Sequence, residues 1–126
     1  MNLTKNKITI NSIIEFVHNA MHHNMRVSKD FYDFEDSQEW YFYVDNGKNY
    51  IRPIIKKTIK GDSIMIESNT GILVLDITLS DRDILDLNSL SLDIKEYRED
   101  KTLSEFNNFF SNIEEKPTNI DDLDED

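Results

Sequence analysis

The chain contains no cysteine and has only three glycines and two prolines among its 126 residues. Without cysteine it cannot form a disulfide framework, a zinc–thiolate site or a thiol nucleophile. The three glycines fall in predicted turns, and they form neither a P-loop nor a dinucleotide-binding loop. No G-x-S-x-G segment is present to hold a hydrolase serine on a nucleophile elbow. We therefore predict a protein that is not an enzyme and that binds no cofactor or metal.

Long apolar runs are also missing from the sequence. No segment approaches the roughly 20 apolar residues that a membrane-spanning helix needs. Residues 1–16 lack the apolar stretch and small-residue cleavage site of a signal peptide. Together with the missing cysteines, this pattern predicts a cytoplasmic protein, in the host cytoplasm if a phage encodes it, with no membrane partner.

Acidic residues are in large excess, and they are unevenly distributed. The net charge is −11. Residues 30–46 contain six acids and no base, whereas residues 47–60 contain five bases and no acid. The last ten residues add five more acids. Such a field opposes direct binding to nucleic acid phosphates and favours a basic protein partner.

Two segments have the apolar spacing of amphipathic helices. Residues 12–25 follow helical periodicity, and Ser12 and Glu15 have the spacing of a capping box at their start. A short β-like segment, residues 7–10, precedes them. A second capping box at Thr102 opens a helix that ends before Pro117. Five apolar residues lie on one face of this helix: Leu103, Phe106, Phe109, Phe110 and Ile113.

Residues 39–79 are predicted to form an antiparallel meander. Alternation along the first strand places Trp40, Phe42 and Val44 on the core face. The Asn46-Gly47 pair is typical of a type I′ hairpin turn. Pro53 removes one backbone donor, which predicts an edge strand or a bulge there. The run 72–79 is apolar on both alternating sets, which predicts a strand in the centre of the sheet.

Three segments leave alternatives open. Residues 26–38 can form a loop or a strand, residues 80–90 a capped turn of helix or irregular chain, and residues 91–99 an additional strand. The predicted fold is a single α+β domain over residues 1–116, with a helix at each end of an antiparallel sheet of four to five strands. The second helix is expected on one face of that sheet. Residues 117–126 are predicted to be a disordered acidic tail.

Two clusters have residue types that can bind a metal. Glu15, His18 and His22 share an exposed face of the first helix. Asp93 and Lys95, together with an acid further up the chain, loosely match the D…D-x-K arrangement of metal-dependent nucleases. Exposed histidines usually solvate a helix, and D-x-K occurs by chance in so charged a chain. Whether either cluster binds metal stays open at this stage.

The basic run between the acidic segments has two interpretations. Its members are Lys48, Arg52, Lys56, Lys57 and Lys60. Together with Tyr50 they can form a basic and aromatic stripe for single-stranded nucleic acid. Lysines also commonly protect edge strands, and these bases can pair with the acids of residues 39–45 across the hairpin. We favour the second interpretation.

The acidic and aromatic segment 30–45 is the best candidate for a partner-binding surface. Its tyrosines can bury a ring while leaving the hydroxyl in water. The residues that we predict to contact a partner are Asp30, Tyr32, Asp33, Glu35, Asp36, Glu39, Tyr41 and Tyr43. The sequence leaves open whether Phe31, Tyr32 and Phe34 anchor a loop to the core or face a partner.

In general character the chain resembles the small acidic inhibitors of phages and mobile elements, namely anti-CRISPR proteins and anti-restriction DNA mimics. The resemblance rests on short length, absence of cysteine, abundant Asn, Ile, Lys and Asp, and acidic segments at 30–45, 81–100 and 121–126. It implies a non-enzymatic inhibitor whose carboxylates occlude the basic nucleic-acid-binding site of a nuclease such as a CRISPR effector. An immunity-type protein that neutralises a basic toxin and a metal-dependent enzyme are the alternatives. No site residue is transferred from the resemblance.

Overall fold

A computed structural model describes residues 8–115 of the chain. The elements are helix α1 (Ile10–His22), strands β1 (Arg26–Asp33), β2 (Ser37–Asp45), β3 (Tyr50–Thr58), β4 (Gly61–Ser68) and β5 (Gly71–Ile77), and helix α2 (Asp81–Glu115). This order is that of an α+β protein, as predicted. The chain forms two compact units, and their boundary, between Lys95 and Glu96, falls inside α2. The predicted tail 117–126 lies outside the described residues.

Each strand of the sheet pairs antiparallel with the next one along the chain, in the order β1-β2-β3-β4-β5. Strand β5 is therefore an edge strand, and the prediction of a central strand over residues 72–79 is wrong. The predicted core residues of β2, Trp40, Phe42 and Val44, are all buried on one face, which we call the inner face. Trp40 Nε1 donates a hydrogen bond to Asn88 Oδ1 at 3.0 Å and so ties the centre of β2 to α2. Residue 38 and its neighbours are part of β2, and residues 26–33 form a strand rather than a loop.

Helix α1 begins earlier than the sequence predicts. Thr9 is its N-cap, because Thr9 Oγ1 accepts the Ser12 N–H at 3.1 Å and Ser12 Oγ accepts the Thr9 N–H at 2.7 Å. The predicted capping box from Ser12 to Glu15 is therefore wrong, and Ile10 lies in the helix rather than in a β-like segment. The earlier start adds Ile10 to the buried stripe. The helix ends at His22, before the left-handed residue Asn24 (φ 60°).

Helix α2 is continuous over the region that the sequence divided into a turn, a strand and a second helix. Ser80 caps it, because Ser80 Oγ accepts the Asp83 N–H and Asp83 Oδ2 accepts the Ser80 N–H, both at 3.0 Å. The predicted strand over 91–99 and the predicted helix start at Thr102 are wrong. Residues 81–115 contain no glycine or proline that would interrupt a helix.

The part of α2 that enters the core is its first half. Leu87, Leu90 and Ile94 are spaced by three and four residues and are buried. Four apolar residues of the second half expose more than half of each side chain: Leu103, Phe106, Phe109 and Phe110. Ile113, the fifth residue of the predicted stripe, lies outside the side chains that the structure describes. The core contribution expected of this second stripe thus comes from residues 87–94, for which the sequence left a turn of helix, irregular chain and a strand open.

Pro53 lies in the central strand β3, and the prediction of an edge strand or a bulge is wrong. On one side of it Tyr41 pairs with Ile54, and on the other Val44 pairs with Ile51. The register is the same on both sides, so the chain has no extra residue and no bulge. The pairings to β2 between these two are missing, because proline has no N–H to donate.

The hairpin between β2 and β3 differs from the predicted type I′ turn. Strand pairing closes at Asp45 and Tyr50, which leaves a four-residue loop. Gly47 has a positive φ of 94°, but Asn46 does not, and type I′ needs both. Asn46 Oδ1 instead accepts the N–H groups of Lys48 and Asn49, both at 2.9 Å. The turn is therefore stabilised by hydrogen bonds to the Asn46 side chain and not by a positive φ at Asn46.

Candidate partner-binding surface

Strand pairing assembles one face of the β1–β2 pair from the predicted partner-binding residues. Directly opposite residues of antiparallel strands share a face. Asp30 lies opposite Tyr41, and Tyr32 lies opposite Glu39. Tyr43 has the same strand parity as Tyr41. These five side chains therefore lie on the outer face of the sheet, opposite the face that carries Trp40.

The remaining three predicted residues lie at the end of the same strand pair. Asp33 is the last residue of β1 and pairs with Gln38, on the inner-face parity. Glu35 and Asp36 lie in the turn between the strands, and all three acids are exposed. We call Asp33, Glu35 and Asp36 the acidic turn. The structure thus brings five of the predicted residues onto one face and places three beside it.

The three aromatic residues whose direction the sequence left open divide between the two faces. The Phe31 ring lies 5.2 Å from the Trp40 ring on the inner side. Tyr32 contacts the Tyr41 ring edge-on at 5.5 Å and stacks on Phe34 at 6.1 Å, all centroid distances. Tyr32 is 47% exposed and Phe34 is 52% exposed. Phe31 therefore packs against the core residue Trp40 although it is 42% exposed, whereas Tyr32 and Phe34 face outwards. Phe34 belongs to the surface although it is not among the residues predicted to contact a partner.

We call the outward-facing group the outer patch; it consists of Asp30, Tyr32, Phe34, Glu39, Tyr41 and Tyr43. All six residues of the outer patch line a depression of about 500 Å³. Its lining consists of Ser28, Lys29, Asp30, Tyr32, Phe34, Glu39, Tyr41, Phe42, Tyr43 and Arg52. A smaller depression of about 300 Å³ is lined by the acidic turn together with residues of β2 and β3. The surface is therefore uneven enough to accept a partner's side chains.

Two tyrosines of the outer patch are fixed by carboxylates on their own strand. The Tyr41 hydroxyl donates to Glu39 Oε1 at 2.8 Å, and the Tyr43 hydroxyl donates to Asp45 Oδ2 at 3.1 Å. Residues two apart on a strand point the same way, which allows both contacts. The hydrogen bond to Glu39, aided by burial, raises the pKa of Tyr41. Burial, aided by the bond to Asp45, raises the pKa of Tyr43.

Asp45 also organises the end of the β2–β3 hairpin. Its Oδ1 accepts a short hydrogen bond from the Gly47 N–H, and its Oδ2 lies 3.6 Å from Arg26 Nη1. The Gly47 N–H is the main reason that the pKa of Asp45 lies below its ordinary value, with smaller contributions from Tyr43 and Arg26. The carboxylate therefore stays charged wherever the protein is near neutral pH.

The cations on the outer face lie next to carboxylates. Lys56 Nζ is 3.8 Å from Glu39 Oε2, which confirms the predicted pairing across the hairpin. Arg52 Nε lies 2.9 Å from Glu67 Oε1 of β4 rather than near an acid of β2. That nitrogen makes no hydrogen bond, so the contact is an ion pair by distance alone. The Arg52 guanidinium also lies over the Tyr41 ring, 5.8 Å from its centroid. Cations that already have carboxylate neighbours are poorly placed to bind phosphates.

Four acids in this region form no ion pair, although Lys57 lines the same depression as the acidic turn. Within the described part of the chain, no Lys, Arg or His nitrogen lies within 4 Å of the carboxylates of Asp30, Asp33, Glu35 or Asp36. All four side chains are exposed. The acidity of this corner is therefore directed to solvent, while Glu39 and Asp45 form contacts within the fold.

The two clusters of possible metal ligands are not assembled into sites in the described part of the chain. His18 Nε2 lies 3.0 Å from Asp93 Oδ2, so His18 contacts α2 rather than forming a site with Glu15 and His22. Among residues 8–115 no group of three His, Cys, Asp or Glu side chains is placed to hold a metal ion. Asp93 and Lys95 lie on a helix, where positions two apart are about 200° apart around the axis, so the predicted same-side arrangement is wrong.

No known protein family, curated protein or solved structure matches this chain. No helix in the described region is both long and apolar enough to cross a bilayer. The side chains of the outer patch and the acidic turn are the features of the described chain that bear on its function.

Proposed function

We propose that the protein is a non-enzymatic binding protein that places its outer patch and acidic turn in a basic site of a partner protein. One observation carries the proposal: Tyr32 and Phe34 face solvent beside four carboxylates that form no ion pair with a described cation. Burial of the aromatic rings supplies affinity, and the carboxylates supply orientation and speed of encounter.

The rigidity of the patch supports a binding role. Hydrogen bonds to carboxylates hold Tyr41 and Tyr43, and ring contacts hold Tyr32 against Tyr41 and Phe34. A surface that is already ordered loses little conformational entropy when a partner binds. Tyrosine is also enriched at protein interfaces because its ring gives a large contact area with only two rotatable bonds.

The charge pattern supports a partner that normally binds nucleic acid. The net charge of −11 opposes direct binding of DNA or RNA. Uncompensated carboxylates can take the place of phosphates in a basic channel, so a nuclease such as a CRISPR effector in the cytoplasm is the proposed target. A basic toxin offers the same complementarity, and this immunity-type role is the second candidate. A metal-dependent enzyme is the weakest alternative, because Asp93 and Lys95 lie on different sides of α2.

A cleavage assay with matched variants tests this function. Guide-loaded CRISPR effectors and restriction endonucleases would be assayed on DNA with and without the protein. We expect the variant Asp30→Asn/Asp33→Asn/Glu35→Gln/Asp36→Asn to inhibit at least about tenfold less strongly than the unchanged chain, because it loses four charges of the binding surface.

The control removes four exposed acids elsewhere: Asp76→Asn, Glu96→Gln, Asp100→Asn and Glu105→Gln. It has the same net charge as the first variant, so it separates the site from the overall field. Equal loss of inhibition in both variants would count against the outer patch and acidic turn. Direct binding to the DNA substrate, or no effect on any nuclease, would count against the proposed target, and inhibition of a basic toxin would then favour the second candidate.

A further inference from the structure

Strand β5 forms an edge of the sheet, and its side chains are apolar and exposed. Ile72 is 64% exposed, Leu73 44% and Val74 57%. Asp76 is the only charged residue of the strand. Strand β5 pairs with β4 without a bulge, from Gly71 opposite Ser68 to Ile77 opposite Asp62. The outer side of such a strand presents a regular row of backbone N–H and C=O groups that another strand can pair with.

We propose that β5 pairs antiparallel with β5 of a second copy of this chain, about a two-fold axis at Val74. This register pairs all seven residues of the strand. It places Val74 opposite Val74 of the copy, Leu73 opposite Leu75, and Ile72 opposite Asp76. The proposal is independent of the function proposed for the outer patch.

The alternation of side chains along β5 favours a second copy as the occupant. Leu73 and Leu75 share the inner-face parity, because Leu75 pairs with the buried Ile64 of β4. The two-fold register therefore continues the inner apolar layer from one copy into the next. A register shifted by one residue would set inner side chains of one copy against outer side chains of the other.

Charge also permits this self-pairing despite the acidity of the chain. In the proposed register the two Asp76 carboxylates lie four residues apart along the paired strands, roughly 14 Å at 3.4 Å per residue. That separation exceeds the Debye length of about 8 Å at physiological salt, so their repulsion is screened. A contact of one strand edge is smaller than a standard interface of about 1,200–2,000 Å², and we expect a dimer in the micromolar range.

Sedimentation equilibrium of the full chain tests the proposal, from about 1 to 500 μM, concentrations that bracket the affinity expected of so small an interface. The unchanged chain should dimerise as concentration rises. Val74→Lys should weaken dimerisation at least about tenfold, because it sets two ammonium groups opposite each other. The control Ile59→Lys makes the same kind of change at a residue that is 81% exposed in the turn after β3, and it should dimerise like the unchanged chain. Circular dichroism would verify that both variants fold.

A mixing experiment tests the register itself. Val74→Lys and Val74→Glu should each dimerise weakly alone but form a tighter heterodimer when mixed, since the axis places position 74 opposite itself. A chain that stays monomeric over the whole concentration range would overturn the proposal. In that case β5 could still pair with a strand of another protein, but it would not pair with a second copy. A Val74→Lys variant that dimerises as tightly as the unchanged chain would also overturn it, because dimerisation would then use another surface, such as the exposed stripe of α2.

Discussion

The two edges of the sheet have opposite chemistry. Strand β1 carries Arg26, Lys29, Asp30 and Asp33 among its eight residues, whereas β5 carries a single acid. Lys29 has the parity of Val27 and Phe31, so it places a charge on the inner side of an edge strand. An inward charge of this kind opposes the addition of a further strand, because pairing would bury it. The backbone edge of β1 is protected, and that of β5 is not.

This difference indicates two separate modes of interaction on one sheet. On the β1 side, the groups that can contact a partner are side chains of the outer patch and acidic turn. On the β5 side, they are backbone groups flanked by apolar side chains. Salt should affect the two modes in opposite directions. A complex between carboxylates and a basic partner weakens as salt rises, whereas pairing of two acidic copies strengthens because their repulsion is screened.

The largest predicted effect is the loss of stability caused by Trp40→Ala, which removes core packing next to the edge strand β1. Trp40 is fully buried, contacts Phe31 of β1 and donates to Asn88 of α2. Removing the ring leaves a cavity under β1, so we expect a loss of about 3–5 kcal/mol in the free energy of unfolding. Urea unfolding would measure it.

The control for this prediction is Phe34→Ala, which removes an aromatic residue that is half exposed on the outer patch. It should lower the free energy of unfolding by less than about 1 kcal/mol, because little buried area is lost. A similar cost for both variants would mean that Phe34 is a structural anchor, and its assignment to the binding surface would be wrong.

An exchange of edge features should give a smaller effect. Leu73→Lys gives β5 the inward charge that β1 has, and we expect it to weaken dimerisation at least about tenfold, or 1.4 kcal/mol. Lys29→Val removes that charge from β1 and should create a second route to self-association. Sedimentation velocity would measure both. If Lys29→Val associates no more than the unchanged chain, some other feature of β1 protects that edge.

The features that the sequence predicts correctly are those determined by local spacing. Alternation along β2 gives the buried set of Trp40, Phe42 and Val44, and it also places Tyr41 and Tyr43 on the other face. Each strand has its own face pattern before any partner is known, so such assignments need no information about the fold. The outer patch could be predicted to this extent.

Strand order could not be read in the same way, because it depends on pairing between segments. The run around Val74 is apolar on both sets, yet a meander leaves its last strand at an edge. Pro53 suggests an edge by its missing donor, yet the central β3 tolerates it by losing only the ladder contacts to β2 there. The direction of Tyr32 and Phe34 was open for the same reason, since it follows from the pairing of β1 with β2.

The smallest predicted effect concerns Tyr41 and Tyr43 of the outer patch. The pKa of both lies above the ordinary value, but the leading cause differs: the hydrogen bond to Glu39 for Tyr41, and burial for Tyr43. Glu39→Gln should therefore shift the alkaline titration of one tyrosine clearly towards its ordinary pKa. Asp45→Asn should shift the other less. Absorbance of tyrosinate measured against pH would show both.

Stability should follow the same groups. A tyrosine whose pKa is raised on folding contributes stability that is fully present below its unfolded pKa of about 10 and is lost as pH rises through the folded pKa. The alkaline loss of stability should therefore be shallower in Glu39→Gln than in the unchanged chain, and Tyr41→Phe should remove the contribution of that residue altogether. Equal alkaline slopes in all three proteins would show that Glu39 does not hold the Tyr41 hydroxyl in solution. The outer patch would then lack part of the rigidity that favours it as a binding surface over the edge of β5.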